Sequence, residues 1–177
     1  TQLNDEALAP VIEKAFRRGK PKAVALLINS PGGSPVQSSL IAARIRRLAE
    51  EQEIPVHAFV EDVAASGGYW LASAADDIWI AEASIVGSIG VISAGFGAHV
   101  LLARQGVERR VYTAGKSKSM LDPFLPEKEE DVKRLKSLLD QMHETFTAQI
   151  KSRRGDRLAD RQDLFTGEFW LGSPAVG

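Results

Sequence analysis

The sequence predicts one α/β domain, in which strands and helices alternate along the 177 residues. Continuous apolar runs of strand length recur along the chain, and segments with helical spacing of their apolar residues separate them. The run Ala23–Ile28 contains no polar residue, as in a parallel strand that is covered on both faces. Alternation of such strands with helices is typical of a layered α/β fold.

The first helix is predicted from its capping residue. Asn4 can accept a hydrogen bond from an N–H group of the first turn, and Asp5 and Glu6 suit the positive end of the helix dipole. Apolar residues keep helical spacing as far as Phe16, and Gly19 ends the helix.

The strand Ala23–Ile28 follows, and a turn over residues 30–34 leads out of it. Proline fits the first turn of a helix, so we expect a second helix from Pro35 to about Gln52. The same alternation then repeats, and its last long helix carries an apolar stripe on one face. Further strands are predicted at residues 56–60, 78–81, 85–92, 109–113 and 164–166, further helices at 67–75, 96–104 and 127–152, and a short segment at 157–164.

The composition excludes several classes of function. The chain has 22 basic and 23 acidic residues and a formal charge of −1, which gives no indication of a nucleic-acid partner. It has no cysteine, so thiol catalysis and thiolate metal sites are excluded. No apolar run reaches the roughly 20 residues of a membrane span, and no HExxH pattern is present. We therefore expect neither a metal nor a cofactor.

The first candidate for chemistry is Ser66, which follows a predicted strand and precedes a predicted helix. Its neighbours Ala65 and Gly67 are small enough to let a substrate backbone approach, and a helix N-terminus offers N–H groups to a developing oxyanion. The alternative interpretation is an ordinary serine N-cap with small residues around it for close packing.

The second candidate is the glycine pair Gly32 and Gly33, which follows the strand Ala23–Ile28. Open α/β sheets bind ligands at the carboxyl ends of their strands. Paired glycines can point successive backbone N–H groups outward and bind an anion. The alternative is a tight turn between a strand and a helix.

The third candidate is the pair Lys116 and Lys118, which follows the predicted strand 109–113. A lysine acts as a base only in its neutral form, which apolar surroundings favour. Met120 and Phe124 could supply such surroundings to Lys118. The alternative is a solvated basic loop. Histidine is the other available base, and a Ser–His–Asp triad with His99 stays a second possibility at this point.

Four stretches together resemble the signal peptide peptidase A (protease IV) family of serine endopeptidases. The likeness covers nearly the whole chain, and the stretches occur in the order of the family: Ile28–Gly33, Ala65–Tyr69, Val86–Val91 and Gly115–Lys118.

The resemblance implies a crotonase-like fold, which the proteolytic subunit of the Clp protease shares, with stacked βαβ units and a spiral sheet. It also implies that residues 1–177 form a single peptidase domain that is truncated at both ends. The first strand and membrane anchor of the family, and the strand after its glycine-rich tail, would lie outside the chain.

The resemblance assigns roles to particular residues. Ser66 resembles the nucleophile, Lys118 the general base, and Ser88 the hydroxyl group that orients the lysine. The backbone N–H groups of Gly32 or Gly33 and of Gly67 would form the oxyanion hole.

The activity implied is an endopeptidase that degrades cleaved signal peptides or similar small apolar peptides derived from membranes. Family members are anchored in the cell membrane with the catalytic domain outside the cytoplasm, and they assemble into rings, so we expect both properties here. Related Ser–Lys peptidases cut membrane-protein tails or capsid scaffolds, and the same fold also forms non-catalytic assembly subunits. Both remain alternatives.

Overall fold

The computed structural model describes residues 3–175, which form two compact units. One unit comprises the described residues up to Gly90 together with those from His143 onward, and the other is Val91–Met142. The helices are α1 (Asp5–Arg17), α2 (Pro35–Gln52), α3 (Gly67–Ser73), α4 (His99–Arg104), α5 (Glu129–Arg154) and α6 (Gly172–Ala175), with a short 3₁₀ turn at Gly155–Arg157. The strands are β1 (Val24–Ser30), β2 (Val56–Ala65), β3 (Asp77–Ile80), β4 (Ile85–Gly87) and β5 (Phe169–Leu171).

The strand β2 is the centre of the sheet in the first unit. It pairs with β1 in parallel along most of its length, and on its other side it pairs first with β3 and then with β4. The short strand β5 closes the sheet by pairing with β4 in the antiparallel sense. Because β1, β2 and β4 are parallel, the loops that follow them leave the sheet at the same edge.

The core of this unit lies between the sheet and helices α2, α3 and the second half of α5. Ile41 and Leu48 of α2 are buried, as the helical spacing of its apolar residues requires. Phe146 of α5 stacks on Trp70 of α3 with 4.8 Å between the ring centroids, and Ile150 is fully enclosed. Close-packed aromatic contacts of this kind fix the part of α5 from His143 onward relative to α3.

The α/β class predicted from the sequence is confirmed. The Asn4 side chain accepts a hydrogen bond from the N–H group of Ala7 at 2.8 Å and caps α1, as predicted. Helix α2 begins at Pro35 and ends at Gln52, at the predicted residues. Two finer points stay predictions: the stacked βαβ units in a spiral sheet, and the single domain.

Three predicted strands differ from the structure. The prediction of a strand at 109–113 is wrong: the segment is irregular, and the Arg109 guanidinium binds the Asp122 carboxylate at 3.0 Å. The predicted strand 85–92 ends at Gly87, because Gly87 and Ser88 have positive φ angles of 110° and 53° that turn the chain out of the extended conformation. The prediction at 164–166 is also wrong, since these residues form turns and the strand lies at Phe169–Leu171.

Asp76 connects four segments of the first unit. Its carboxylate accepts a hydrogen bond from the N–H group of Val56 at 2.9 Å, and its own N–H group donates to the Val56 carbonyl at 2.8 Å. Arg46 of α2 lies 2.9 Å away and Arg153 of α5 lies 3.5 Å away. Partial burial tends to raise the pKa of Asp76, but the Val56 N–H group and the Arg46 guanidinium outweigh it and hold the pKa below its usual value of 3.8.

Replacing Asp76 with Asn should therefore lower the free energy of unfolding at pH 7 by about 1 kcal/mol, since it removes a partly screened charge with three partners. The folded-state pKa is lowered, so the wild type has this stabilisation above the ordinary carboxyl pKa and loses it as the pH falls through the folded value. Urea unfolding measures the free energy of unfolding of the wild type and of Asp76→Asn at pH 7 and at about pH 2. The difference between the two proteins should be smaller at the lower pH. Asp160→Asn is the control, because Asp160 is exposed and has no partner within residues 3–175. An equal loss at both pH values would contradict the electrostatic origin.

Candidate active site

Three loops meet at the edge of the sheet where β1, β2 and β4 end. The register pairs Ser30 of β1 with Ala64 of β2, and Ala65 of β2 with Gly87 of β4. The Pro31–Gly33 turn, Ser66 and Ser88 therefore follow neighbouring strands at one edge, where open α/β sheets bind ligands. The structure thus brings together Ser66, Ser88 and the three predicted oxyanion glycines within the first unit.

Ser66 lies at the junction of β2 and α3 in an uncommon backbone conformation. Its φ and ψ angles are 52° and −124°, a region that residues with a side chain rarely adopt. The Ser66 N–H group donates to the Gly87 carbonyl at 2.8 Å, and the Ser66 carbonyl accepts from the Trp70 N–H group at 3.0 Å. These two bonds hold the strained residue in place, and such strain is concentrated at functional sites.

The hydroxyl group of Ser66 does not cap the helix that follows it. In an ordinary N-cap the side-chain oxygen accepts a hydrogen bond from the first turn, as Ser34 does from the Gln37 N–H group at 3.5 Å. Within residues 3–175 the Ser66 hydroxyl makes no such bond, and the residue is half-buried. The interpretation of Ser66 as a plain helix cap is therefore wrong, and its hydroxyl is available for chemistry.

Two backbone N–H groups lie beside Ser66 with no acceptor among the described residues, those of Gly33 and Gly67. A Cβ atom built on Gly67 would lie 3.3 Å from the Gly33 nitrogen, so the two peptide groups are neighbours. The N–H group of Gly32, in contrast, donates to the Ser30 hydroxyl at 3.2 Å. Of these three N–H groups, those of Gly33 and Gly67 are therefore the candidates to bind an anion, since the Gly32 N–H group already has an acceptor.

Gly32 contributes through its small size instead. A Cβ atom on Gly32 would lie 2.9 Å from both the Cβ atom of Ser66 and the nitrogen of Gly67, closer than side chains pack. Its φ angle of 111° also favours glycine. The close approach of the two loops at this point thus requires a residue without a side chain.

Ser88 follows β4 directly and is half-buried, with a φ angle of 53°. Its N–H group donates to the Glu168 carbonyl at 2.6 Å, and its carbonyl accepts from the Gly90 N–H group at 2.9 Å. The ring of Trp170 packs on Gly87 so closely that a Cβ atom there would lie 2.8 Å from it. The segment around Ser88 is therefore fixed by the chain just before and within β5.

Lys118 lies in the second unit, in a turn where its N–H group donates to the Gly115 carbonyl at 3.2 Å. Its side chain and that of Lys116 are both exposed. The burial that the sequence suggested from Met120 and Phe124 is therefore not present at Lys118. The roles of Lys118 as general base and of Ser88 as its orienting group stay predictions.

The histidines differ in their surroundings. His57 lies on β2, nine positions before Ser66 and close to Asp77 of β3, with 3.3 Å between Nδ1 and the carboxylate oxygen. Nine strand residues span roughly 30 Å, so His57 is too far away to act on Ser66. His99 begins α4 in the second unit. His143 places its Nε2 atom 3.1 Å from the Ile89 carbonyl, one residue past Ser88.

Sequence reasoning missed several residues that support the site. The Glu168 carbonyl, the Trp170 ring and the His143 imidazole all hold the segment 87–89 in place. No local signal in the sequence relates them to Ser88, since they come from segments far along the chain. The large aromatic side chain of Trp170 was the one feature of the sequence that suggested such a packing role.

The family described as Peptidase family S49 matches residues 49–177, which is more than half of the chain. The chain belongs to Peptidase family S49. A protein of Arabidopsis thaliana named "Serine protease SPPA, chloroplastic" is 32% identical over 174 residues, which are 96% of this chain and 25% of that protein. A protein of Enterococcus faecium, named as a signal peptide peptidase SppA, is 29% identical over 175 residues, 99% of this chain and 51% of that protein.

A third relative has a different name. A protein of Brucella melitensis named "Na(+)/H(+) antiporter NhaA" is 58% identical over 174 residues, 98% of this chain but 24% of that protein. The chain spans about half the length of these relatives or less, so a name given to a whole relative does not pass to it. In the part of the chain that the structure describes, no helix has both the length and the apolar character that crossing a membrane requires.

Replacing Gly32 with Ala should disrupt the site, because the new Cβ atom would collide with Ser66 and Gly67 in a conformation that alanine disfavours. We expect a loss of about 1–3 kcal/mol in the free energy of unfolding and at least about tenfold slower labelling of Ser66 by a fluorophosphonate probe, since small displacements of reacting groups slow reactions strongly. Gly95→Ala is the matched control, since nothing lies within 4 Å of a Cβ atom at that position. Unchanged labelling of the Gly32 variant would show that the contact does not position Ser66.

Proposed function

We propose that this domain is a serine endopeptidase in which Ser66 is the nucleophile and Lys118 the general base. The observation that carries the proposal is the strained backbone conformation of Ser66, whose hydroxyl group makes no capping bond. The N–H groups of Gly33 and Gly67, which have no acceptor among the described residues, lie beside this residue. A nucleophile next to preorganised donors is the arrangement that acyl transfer requires. Membership of Peptidase family S49 supports the same activity.

The proposed reaction begins when Ser66 attacks the carbonyl carbon of a peptide bond while the neutral amine of Lys118 takes the hydroxyl proton. The oxygen of the tetrahedral intermediate would accept hydrogen bonds from the Gly33 and Gly67 N–H groups. The lysine ammonium would then protonate the leaving amine, and the C–N bond would break. The same lysine would activate a water molecule to hydrolyse the acyl-enzyme, with the Ser88 hydroxyl orienting its amine.

We propose cleaved signal peptides, or similar small apolar peptides derived from membranes, as substrates. The small and uncharged residues around Ser66 suit such peptides, and the name of the Enterococcus faecium relative points to the same class. The alternatives are a membrane-protein tail or a capsid scaffold as substrate, and a subunit without activity. A panel of signal peptides and tail peptides separates the substrates, and labelling by a serine-reactive probe separates an enzyme from an inactive subunit.

We further propose a homo-oligomeric ring at the outer side of the cell membrane, by likeness to the family. Apolar side chains on α5 and β5 are exposed in the chain, with exposed fractions of 39% for Leu138, 64% for Phe169 and 52% for Leu171. Exposed apolar surface of this kind often lies in interfaces between subunits. A ring would also keep folded proteins away from the nucleophile. Light scattering measures the oligomeric state of the active enzyme. A strictly monomeric active enzyme would contradict the proposed ring.

Replacing Ser66 with Ala should reduce peptide hydrolysis by about 10⁴-fold or more, since it removes the covalent route. Stability should change by less than about 1 kcal/mol, because the hydroxyl caps nothing. Initial rates on an unstructured peptide and urea unfolding measure the two effects.

The matched control is Ser152→Ala, which removes an exposed hydroxyl group that donates to the Gln149 carbonyl at 3.2 Å on α5. It should change the free energy of unfolding by less than about 1 kcal/mol and leave the rate unchanged. A Ser66→Ala protein that cleaves at a rate near that of the wild type would rule out Ser66 as the nucleophile.

The lysines give a second test. Lys118→Ala and Lys118→Arg should both abolish activity, since a guanidinium stays protonated and cannot accept the hydroxyl proton.

Lys116→Ala is the control for these variants, since Lys116 is also exposed, lies two positions away and carries the same charge. It should keep most of the activity. A normal rate in Lys118→Arg, or an inactive Lys116→Ala, would show that another group is the base.

A further inference from the structure

A cavity of about 200 Å³ lies in the first unit, between the start of α3, the strands β4 and β5, and the C-terminal end of α5. Its walls combine aromatic rings with positive charge. The lining residues that matter here are Tyr69, Gly87, Arg154, Arg157, Arg161 and Trp170.

Two of the three lining arginines have acidic partners. Arg157 pairs with the Asp77 carboxylate at 3.1 Å. Arg161 pairs with the Asp163 carboxylate at 2.6 Å and also lies over the Trp170 ring, 5.3 Å from its centroid. Their charges are therefore largely compensated by groups of the chain itself.

Arg154 differs from them. It has no ion pair among residues 3–175, and its Nη1 atom is fully enclosed and donates to no described acceptor. A buried guanidinium nitrogen without an acceptor is unfavourable, and nearly all such groups in folded proteins are paired. The end of helix α5 favours a positive charge at this point. It does not supply an acceptor for the enclosed nitrogen.

The chemistry of the cavity fits a carboxylate. A guanidinium presents paired donors in a plane that matches the two oxygens of a carboxylate. Tyr69 adds a hydroxyl group next to Arg154: burial raises the pKa of Tyr69, and the charge of the Arg154 guanidinium and its hydrogen bond to the phenol oxygen oppose this in part. A phenol that accepts from Arg154 in this way still has its own O–H group to donate to a ligand.

The cavity and the candidate active site share a wall. Gly87 lines the cavity, and its carbonyl accepts the hydrogen bond from the Ser66 N–H group at 2.8 Å. Ile89 lines the cavity as well, so the residues on both sides of Ser88 face it or border it. A group bound there would lie within the same unit and close to the segment that holds Ser66.

We propose that this cavity binds a carboxylate of the peptide substrate, with Arg154 as its main ligand. The carboxylate is either the C-terminal group of the peptide or an acidic side chain. The inference rests on the proposed function only in taking the ligand to be a peptide.

The test uses the 177-residue chain carrying Ser66→Ala, so that binding is measured without hydrolysis. Isothermal titration calorimetry compares three N-acetylated peptides of equal length: one with a free C-terminal carboxylate, one amidated, and one amidated with a glutamate near its end. We expect at least one carboxylate peptide to bind at least about tenfold more tightly than the neutral one, a typical effect of one charged hydrogen bond. The two carboxylate arms distinguish the two sources of the group.

Arg154→Gln in the same background should remove that preference. Lys151→Gln is the matched control: it removes the same charge from the same helix, but the Lys151 ammonium lies over the Phe165 ring, 5.1 Å from its centroid, and the residue does not line the cavity. Its affinities should stay within about twofold of the parent protein. Equal effects of the two substitutions would overturn the proposal, since they would show a general charge effect.

A second readout covers the case in which Arg154→Gln does not fold. Trp170 lines the cavity, so binding of the carboxylate peptide to the Ser66→Ala protein should change tryptophan fluorescence, and Trp170→Phe should abolish the change. Equal binding of the neutral and carboxylate peptides, or a fluorescence response without Trp170, would overturn the proposal. An inactive wild type that still discriminates the peptides would refute the peptidase function and leave the carboxylate site standing.

Discussion

The arrangement of the candidate site depends on the pairing of β2 with strands on both of its sides. Its register with β1 brings the Gly32–Gly33 turn to the start of α3, and its register with β4 brings Gly87 beside Ser66. A shift of one residue in either pairing would turn the adjoining side chains to the opposite face. The hydrogen bond from the Ser66 N–H group to the Gly87 carbonyl is the last link of this ladder. The position of Ser66 is thus a property of the sheet rather than of a loop.

Sequence patterns predicted the parts of the fold that local physics decides. The cap at Asn4, the proline that begins α2 and the apolar strand β1 were predicted at or near their observed bounds. Ser66 and the three glycines were singled out because small residues after strands are a local signal, and the structure places them at one edge of the sheet. The strand at Phe169–Leu171 and the irregular segment at 109–113 were missed, because pairing with β4 and the Arg109–Asp122 contact are decided by distant residues.

The site itself shows the same division. The N–H group of Gly32 is occupied by the Ser30 hydroxyl two positions before it, a local turn that the glycine pair alone does not reveal. The enclosed nitrogen of Arg154 is likewise invisible in a sequence, where the arginines near residue 154 resemble an ordinary solvated helix end. The enclosure of this one nitrogen atom, in a residue that is otherwise half-buried, is decided by tertiary packing.

The interruption of the first unit by Val91–Met142 has a consequence for the order of folding. Phe146 of α5 stacks on Trp70, and His143 of α5 contacts the Ile89 carbonyl. Both residues of α5 are synthesised much later than their partners, since His143 and Ile89 are 54 positions apart. Closing so long a loop costs entropy before these contacts repay it. On the ribosome, the segment around Ser88 would therefore acquire its final shape only once α5 and β5 have emerged, so the surroundings of Ser66 would be completed last, after most of the sheet.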